Sequence, residues 1–557
     1  MHVRKRLPGI APVMLSLFLA LLLAACAQPA QQPEAAKPGQ GAAQPAPKEA
    51  TPKRGGTAVF QISDLVQGPD WHRHTSIGGI EFFSNIHGTI LELSSEDRKT
   101  VRGDIATSWE MSKDGKTYTF KIREGLKTHK GKPFNAEDVA YSINRMINPP
   151  NKMPIPRAGC VRETVVKATA TDALTVAIQL QDPVASFIAC MTNPYLGIQP
   201  KYILETIDKE NRQMQPEEID GVGPFKVDKW TFGSIYTAKR FDGYYMEGRP
   251  YLDEIQMVVL PDASSIIAAL RTQRIHMVSA FATTPTVTEA KALKQEFGDK
   301  LNIVEAGAPG FRGFQINYRK PPLDDIRVRE AIDLAVNRQN QLDLVLEGAG
   351  SLSGPYYGLW DWIYSFEEMS KWPGYRADKT QDLARAKQLL KDAGYASGLT
   401  IDGIICGTTS GEDCDLLVGD LGKVGITAKL ARGETAANQA RGRKGDFSLY
   451  YDSKGADFAD PDVYNGLIYL PTAGLNWAKW EDKEFLKLYE QERVELDQTK
   501  RGQILRKMAD IVRDSRVYVL TNRALLHQTW WAFLKGYVPP KDFYHTKYRF
   551  DALWMDK

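Results

Sequence analysis

The residue types best suited to chemistry are concentrated in one acidic stretch, Tyr451-Asp452-Ser453-Lys454-Gly455-Ala456-Asp457-Phe458-Ala459-Asp460-Pro461-Asp462. A carboxylate held where water is expelled grips an ammonium group, and losing one partner of such a pair costs about 2 to 5 kcal/mol. The plainer reading of Asp457, Asp460 and Asp462 is as loop and helix-cap residues. A second candidate is the aromatic loop Tyr356-Tyr357-Gly358-Leu359-Trp360-Asp361-Trp362-Ile363-Tyr364, whose rings suit stacking against a sugar as well as packing. His72 and His74, in Trp71-His72-Arg73-His74, are two imidazoles without further ligands, so the expectation is solvated surface and no metal. No HExxH, CxxC, GxSxG or GxxxxGK[ST] run occurs, so zinc-protease, dithiol, serine-hydrolase and P-loop chemistry lack their signatures. The expectation is a protein that is not an enzyme and needs no cofactor.

Those residues must be positioned by something large. The chain has 557 residues, 43% hydrophobic and 25% charged, enough for two or three domains with their own cores. A formal net charge of +3 is nearly balanced at this length and gives no reason to expect a nucleic-acid partner, which calls for a clustered basic face with interleaved aromatics.

The first 25 residues read as an export signal. Arg4, Lys5 and Arg6 precede an apolar run from about Val13 to Ala25 that is short for a membrane span. It ends in Leu23-Ala24-Ala25-Cys26, similar to a bacterial lipobox, which implies that Cys26 carries lipid. Residues 26–54 are rich in Ala, Gln, Pro and Gly, cannot bury a core, and read as a disordered tether. As a flexible coil its reach is roughly 30 Å.

Periodicity organises the rest. Phe314, Ile316 and Tyr318 alternate with polar or small residues, a strand with one buried face that Pro321 and Pro322 stop. Asp324 and Asp325 then lead a helix whose Val328, Ala331, Ile332 and Ala335 share a face. Trp109 to Met111 and Tyr118 to Ile122 read as a hairpin across Asp114-Gly115, and Asn135 and Asp138 as the cap pair of a helix. Leu174, Val176, Ile178 and Leu180 alternate as a strand; Asp382 to Ala393 reads as a helix ended by Gly394, and Pro355 to Tyr375 as a long loop.

The block from Asn317 through Pro321, Pro322, Asp325 and Val328-Arg329-Glu330-Ala331-Ile332 resembles the signature of the family 5 solute-binding proteins, the extracytoplasmic receptors of peptide and nickel ABC importers. Gly221-Val222-Gly223-Pro224-Phe225, Phe241-Asp242-Gly243-Tyr244-Tyr245 and Tyr251-Leu252-Asp253 follow the same family in order and spacing, with Asp242 close to where an Asn is usual. The resemblance covers nearly the whole chain from Gly55. It implies an α/β, two-lobed periplasmic-binding-protein fold with two hinge crossings, near Glu305 to Arg312 and Thr521 to Leu526, and an extra small subdomain in lobe one. The expected boundaries are 55–308 plus 525–557 for lobe one, with the subdomain at about 80–220, and 309–524 for lobe two.

The resemblance also implies a function. A peptide or peptide-like solute is captured between the lobes and delivered to an ABC permease; an oligosaccharide, an opine or a metal chelate is the alternative. By residue match to the family's Asp-x-x-[DE]-Pro segment, Asp457 receives the α-amino group of a peptide. Lys454 stands where several peptide binders carry Trp. Phe458, Tyr451, Trp360 and Trp362 complete the expected ligand set. Cys160, Cys190, Cys406 and Cys414 remain after Cys26, an even number in an exported protein. Pairing Cys160 with Cys190 and Cys406 with Cys414 is the expectation, since it keeps each bridge inside one implied lobe. The expected location is the outer face of the cell membrane or the periplasm, held by the N-terminal lipid.

Overall fold

Alternation of apolar and polar residues builds the sheets of this protein, and the chain connects them by two crossings. A computed structural model describes residues 51–62, 68–94, 100–279, 284–308, 310–356, 363–407, 411–455, 458, 460–539 and 548–557. In the first lobe, strand Thr57–Ile62 runs parallel to Glu254–Val259, followed in the sheet by Ile235–Arg240 and Phe225–Thr231. Phe60, Phe82, Phe225, Tyr236 and Met257 form its core. Side chains of this size each contribute about 1.5 to 3 kcal/mol when fully buried.

A separate antiparallel sheet forms the small subdomain, in the order Ala106–Met111, Thr117–Ile122, Thr175–Leu180, Val165–Asp172. The hairpin joins Trp109 to Phe120 in register. Helix Ala136–Ile147 covers the sheet, and it begins where expected. Asn135 and Asp138 form a reciprocal capping box that satisfies two otherwise orphaned N–H groups. Val139, Ile143 and Met146 project from the helix into a core with Phe120, Val176 and Ile178.

The second lobe carries a five-stranded sheet in the order Ile426–Gly433, Leu399–Gly407, Leu449–Gly455, Gly310–Ile316, Tyr518–Leu520. Helix Ile326–Ala335 is capped by Asp325 and buries Val328, Ala331, Ile332 and Ala335 against Phe314, Ile316 and Leu449. Helix Thr380–Asp392 packs beside it and ends before Gly394, which adopts a φ of +92°. Two sequence expectations need correction. The strand ends at Ile316, so Tyr318 lies beyond it, its hydroxyl donating to the carbonyl of Lys479. The stretch 355–375 is not all loop, because Ser365 and Glu368 form a capping box that starts the helix Phe366–Ser370.

The crossings lie side by side. Leu301–Gly307 pairs antiparallel with Asn522–Trp531, while their continuations Gly310–Ile316 and Tyr518–Leu520 pair in the second sheet. Where they change sheets they remain bonded. The Thr521 N–H donates to the Arg312 carbonyl at 2.9 Å, and the Ala308 N–H to the Ala524 carbonyl at 2.8 Å. A Cβ at Gly307 would meet the Arg523 guanidinium at 1.8 Å, so a larger residue there would displace the side chain that lies across the crossing. Among the described residues no helix is long and apolar enough to cross a membrane.

Candidate functional site

Two short helices of the first lobe, Gly159–Arg162 and Phe187–Cys190, face the second lobe across a cavity of about 390 Å3. The structure joins them through a Cys160–Cys190 bridge, which makes one wall of two segments distant in sequence. Arg157, Arg162, Glu163 and Ser186 line that wall; Phe458, Asp462, Leu467, Tyr489 and Arg493 line the other. The lobes touch here. Ser186 donates its hydroxyl to the Asp462 carboxylate at 2.8 Å, and the Ala185 N–H donates to the Arg493 carbonyl at 2.7 Å.

Asp462 is held in place by the acidic stretch itself. Its N–H donates to the Asp460 carboxylate at 2.9 Å, and Asp460 takes a bidentate pair from Arg501, at 2.7 and 2.6 Å. Arg501 also donates from Nε to Glu492 at 2.7 Å. One buried guanidinium thus serves two carboxylates. Glu492 is fully buried, its Oε2 has no hydrogen-bond partner among the described residues, and burial together with Asp462 pushes it up to about 8 against the pull of Arg501. Burial and the neighbouring Asp460 likewise push Asp462 up.

Of the residues singled out from sequence, Phe458 lines the cavity and packs in the core with Phe311 and Tyr464. Tyr451 sits elsewhere. It is buried against Phe314 with ring centroids 5.0 Å apart, beside Asp413 at the crossings. Arg312 reaches Asp413 at 3.4 Å, and burial raises the Asp413 carboxyl. Lys454 is paired opposite Phe311 in the sheet, and its side chain lies outside the described residues. Asp457, Trp360, Trp362 and Cys26 also lie outside them. A second bridge joins Cys406 to Cys414 beside Asp413.

The histidine pair corrects an expectation. His72 and His74 are not solvated surface: both are buried, at 2% and 1% exposure. His72 bonds through Nε2 to the Gly197 carbonyl at 3.0 Å and lies 3.0 Å from Arg145 through Nδ1, while His74 packs edge-on to Phe83. Burial lowers both to about 4, with Arg145 adding to the effect on His72. They are neutral core residues. Nothing local in Trp71-His72-Arg73-His74 signals this, because the organising group, Arg145, is 73 residues away from His72.

Sequence reasoning also missed the contact between Ser186 and Asp462, whose partners stand 276 residues apart. The only local signal was Asp460-Pro461-Asp462, which reads as a cap and serves partly as one.

The sequence profile of the bacterial extracellular solute-binding proteins, family 5 (middle), matches residues 100–476. A dipeptide-binding protein of Escherichia coli (strain K12) is 27% identical over 480 residues, covering 81% of this chain and 86% of that protein. Heme-binding protein A of Haemophilus influenzae is 27% identical over 409 residues, covering 68% of this chain and 71% of that protein. Among solved structures, the periplasmic binding protein DppA from Helicobacter pylori, in complex with the peptide STSA, superposes with a TM-score of 0.76. It is 22% identical, and the match covers 91% of this chain and 99% of that one, a likeness of fold.

Proposed function

Because this chain belongs to the bacterial extracellular solute-binding proteins, family 5, we propose that it captures a peptide between its two lobes and hands it to an ABC permease. The observation that carries the peptide reading is the 27% identity with a dipeptide-binding protein over 81% of the chain. The two adjacent crossings support it physically, since paired strands bend together and let the lobes close as rigid bodies. Specific groups in the cleft then select the closed form by their differential affinity.

Asp457 is the residue we assign to the α-amino group of the peptide, with Lys454 and Phe458 near it in sequence and Trp360 and Trp362 as further ligand contacts. Capture proceeds without turnover. The lobe boundaries are 55–308 plus 525–557 and 309–524; the pairing of Leu301–Gly307 with Asn522–Trp531 on one side and of Gly310–Ile316 with Tyr518–Leu520 on the other supports them. Lipid on Cys26 and the tether 26–54 keep the receptor at the outer face of the membrane; the lipobox-like Leu23-Ala24-Ala25-Cys26 is what supports that assignment.

The test is to denature the purified protein and identify by mass spectrometry what it releases. A mixture of short peptides is the expected result, and a homogeneous sugar or metal complex overturns the reading. Asp457→Ala should abolish binding of a dipeptide such as Met-Leu while leaving the melting temperature unchanged. Unaltered affinity removes Asp457 from the assignment.

A further inference from the structure

The bond between Ser186 and Asp462 is unusual in its economy. Ser186 stands at the N-cap of Phe187–Cys190 but makes no cap bond with its own helix; its hydroxyl goes to the other lobe. Opposite it, Asp462 meets carboxylates on several sides. From its own loop comes Asp460; from helix Lys483–Glu492 come Glu492 and Tyr489; from Gln498–Ser515 comes the cation Arg501. From the first lobe comes Glu163, with Arg162 behind it and Arg493 of the second lobe alongside. We propose that Asp462, with Ser186 and Glu163 across the cleft, is a latch that positions the lobes in the closed form, and that closing it takes up a proton. This rests on the two-lobed solute-binding fold and not on which solute is taken.

Closing brings Glu163 toward Asp462 and removes water from Asp462, while the nearest buried guanidinium, Arg501, is already engaged by Asp460 and Glu492. Like charges in a dry site favour the neutral form of one of them. Burial followed by Asp462 pushes Glu163 up, although the residue is exposed and water screens much of that effect. When the lobes part, Asp462 regains water and the two carboxyls separate, so both return toward the ordinary carboxylate range. The closed form therefore binds more protons than the open form, and acidification favours closure. A neutral Asp462 still accepts the Ser186 hydroxyl through its carbonyl oxygen, so protonation relieves repulsion without breaking the bond.

Small-angle X-ray scattering of the full chain, stripped of bound solute by unfolding and refolding, tests this directly. The closed-to-open ratio should rise as pH falls from 8 to 4, approaching about tenfold for each pKa unit by which closure raises one carboxyl as the pH reaches that carboxyl's open-form value, and the radius of gyration should contract accordingly. Glu163→Gln and Asp462→Asn should each flatten that dependence, being already relieved of repulsion at pH 8. Ser186→Ala should reduce contraction at both ends. A radius of gyration that does not change with pH, or that changes equally in all variants, overturns the latch. No peptide enters the experiment, so its failure leaves the peptide reading standing, and failure of peptide binding leaves the latch standing.

Discussion

Arg145 in the first lobe and Arg501 in the second are buried guanidinium groups that each bridge two carboxylates, and their surroundings behave oppositely. Arg145 meets Asp70 at 2.8 Å and Asp208 at 2.9 Å, and Asp70 also accepts from Gln199 at 3.1 Å. Burial opposes the charge on Asp70, but Arg145 overcomes it and holds the carboxyl down at about 2. Arg501 meets Asp460 and Glu492 with Asp462 close by, and there burial wins: Glu492 is pushed up to about 8. Donor supply makes the difference. Both Asp70 oxygens are satisfied, whereas one Glu492 oxygen has no partner among the described residues, and a buried charge short of donors gives way to its neutral form. The first cluster is a fixed strut inside one lobe; the second stands beside a cavity between lobes and keeps a proton in play.

Removing the cation is the hardest test of this contrast. Arg145→Met leaves Asp70 and Asp208 uncompensated and should cost about 3 to 5 kcal/mol of unfolding free energy at pH 7, read from urea titrations. Arg501→Met should cost less at pH 6 than at pH 9, because Glu492 already carries a proton at the lower pH. Equal losses at both pH values would place the two clusters in one class.

A gentler change sharpens the same contrast. Glu492 has its folded-state value raised above the ordinary carboxylate range, so the stability it confers is complete below about 4.5 and is lost as pH rises toward about 8. Glu492→Gln mimics the protonated acid. The variant should match the native protein at pH 5 and exceed it by on the order of 3 kcal/mol at pH 9. A constant difference between the two across that range would show that Glu492 is ionised throughout.

The first lobe carries the opposite sign. His72 and His74 are lowered to about 4, so as pH falls below 6.5 the unfolded chain takes up protons first, and stability drains between 6.5 and about 4. His129 and His276, in the same lobe, are lowered to about 4 by burial as well. After correction for intrinsic exchange rates, amide protection in residues 71–83 should fall about tenfold or more between pH 7 and pH 4.5. Protection in the helix Gln498–Ser515 should hold over that interval. Loss of protection in both would erase the distinction between the lobes.

What sequence conveys about these regions follows the distance over which each is determined. Asn135 with Asp138, Asp325 before its helix, and the alternation through Phe314 and Ile316 act within a few residues, and all were legible. The two-lobed architecture was legible because its segments resemble a family in order and spacing. The burial of His72 depends on Arg145, and the acidity around Asp462 on Arg501, Glu492 and Ser186; none of these partners is near in sequence, so composition read as surface or cap. Asp457 and Lys454 take their expected roles from resemblance alone.

The smallest expected difference lies between the two bridges, one in each lobe. Cys160 and Cys190 are 30 residues apart, Cys406 and Cys414 only 8. If cross-links act by restricting the unfolded chain, the longer loop confers more, about 1 kcal/mol beyond the shorter one. Paired Cys→Ser variants compared in urea should show this order, with the loss of Cys160–Cys190 the greater. That bridge also fastens together the two helices of the cavity wall, one of which begins at Ser186, so its removal should reduce the closed fraction seen by scattering while loss of Cys406–Cys414 leaves it unchanged. A reversed order would mean that the wall is held by packing of Val161 and Phe187 in the subdomain core and that the bridge adds only to the unfolded-state restraint.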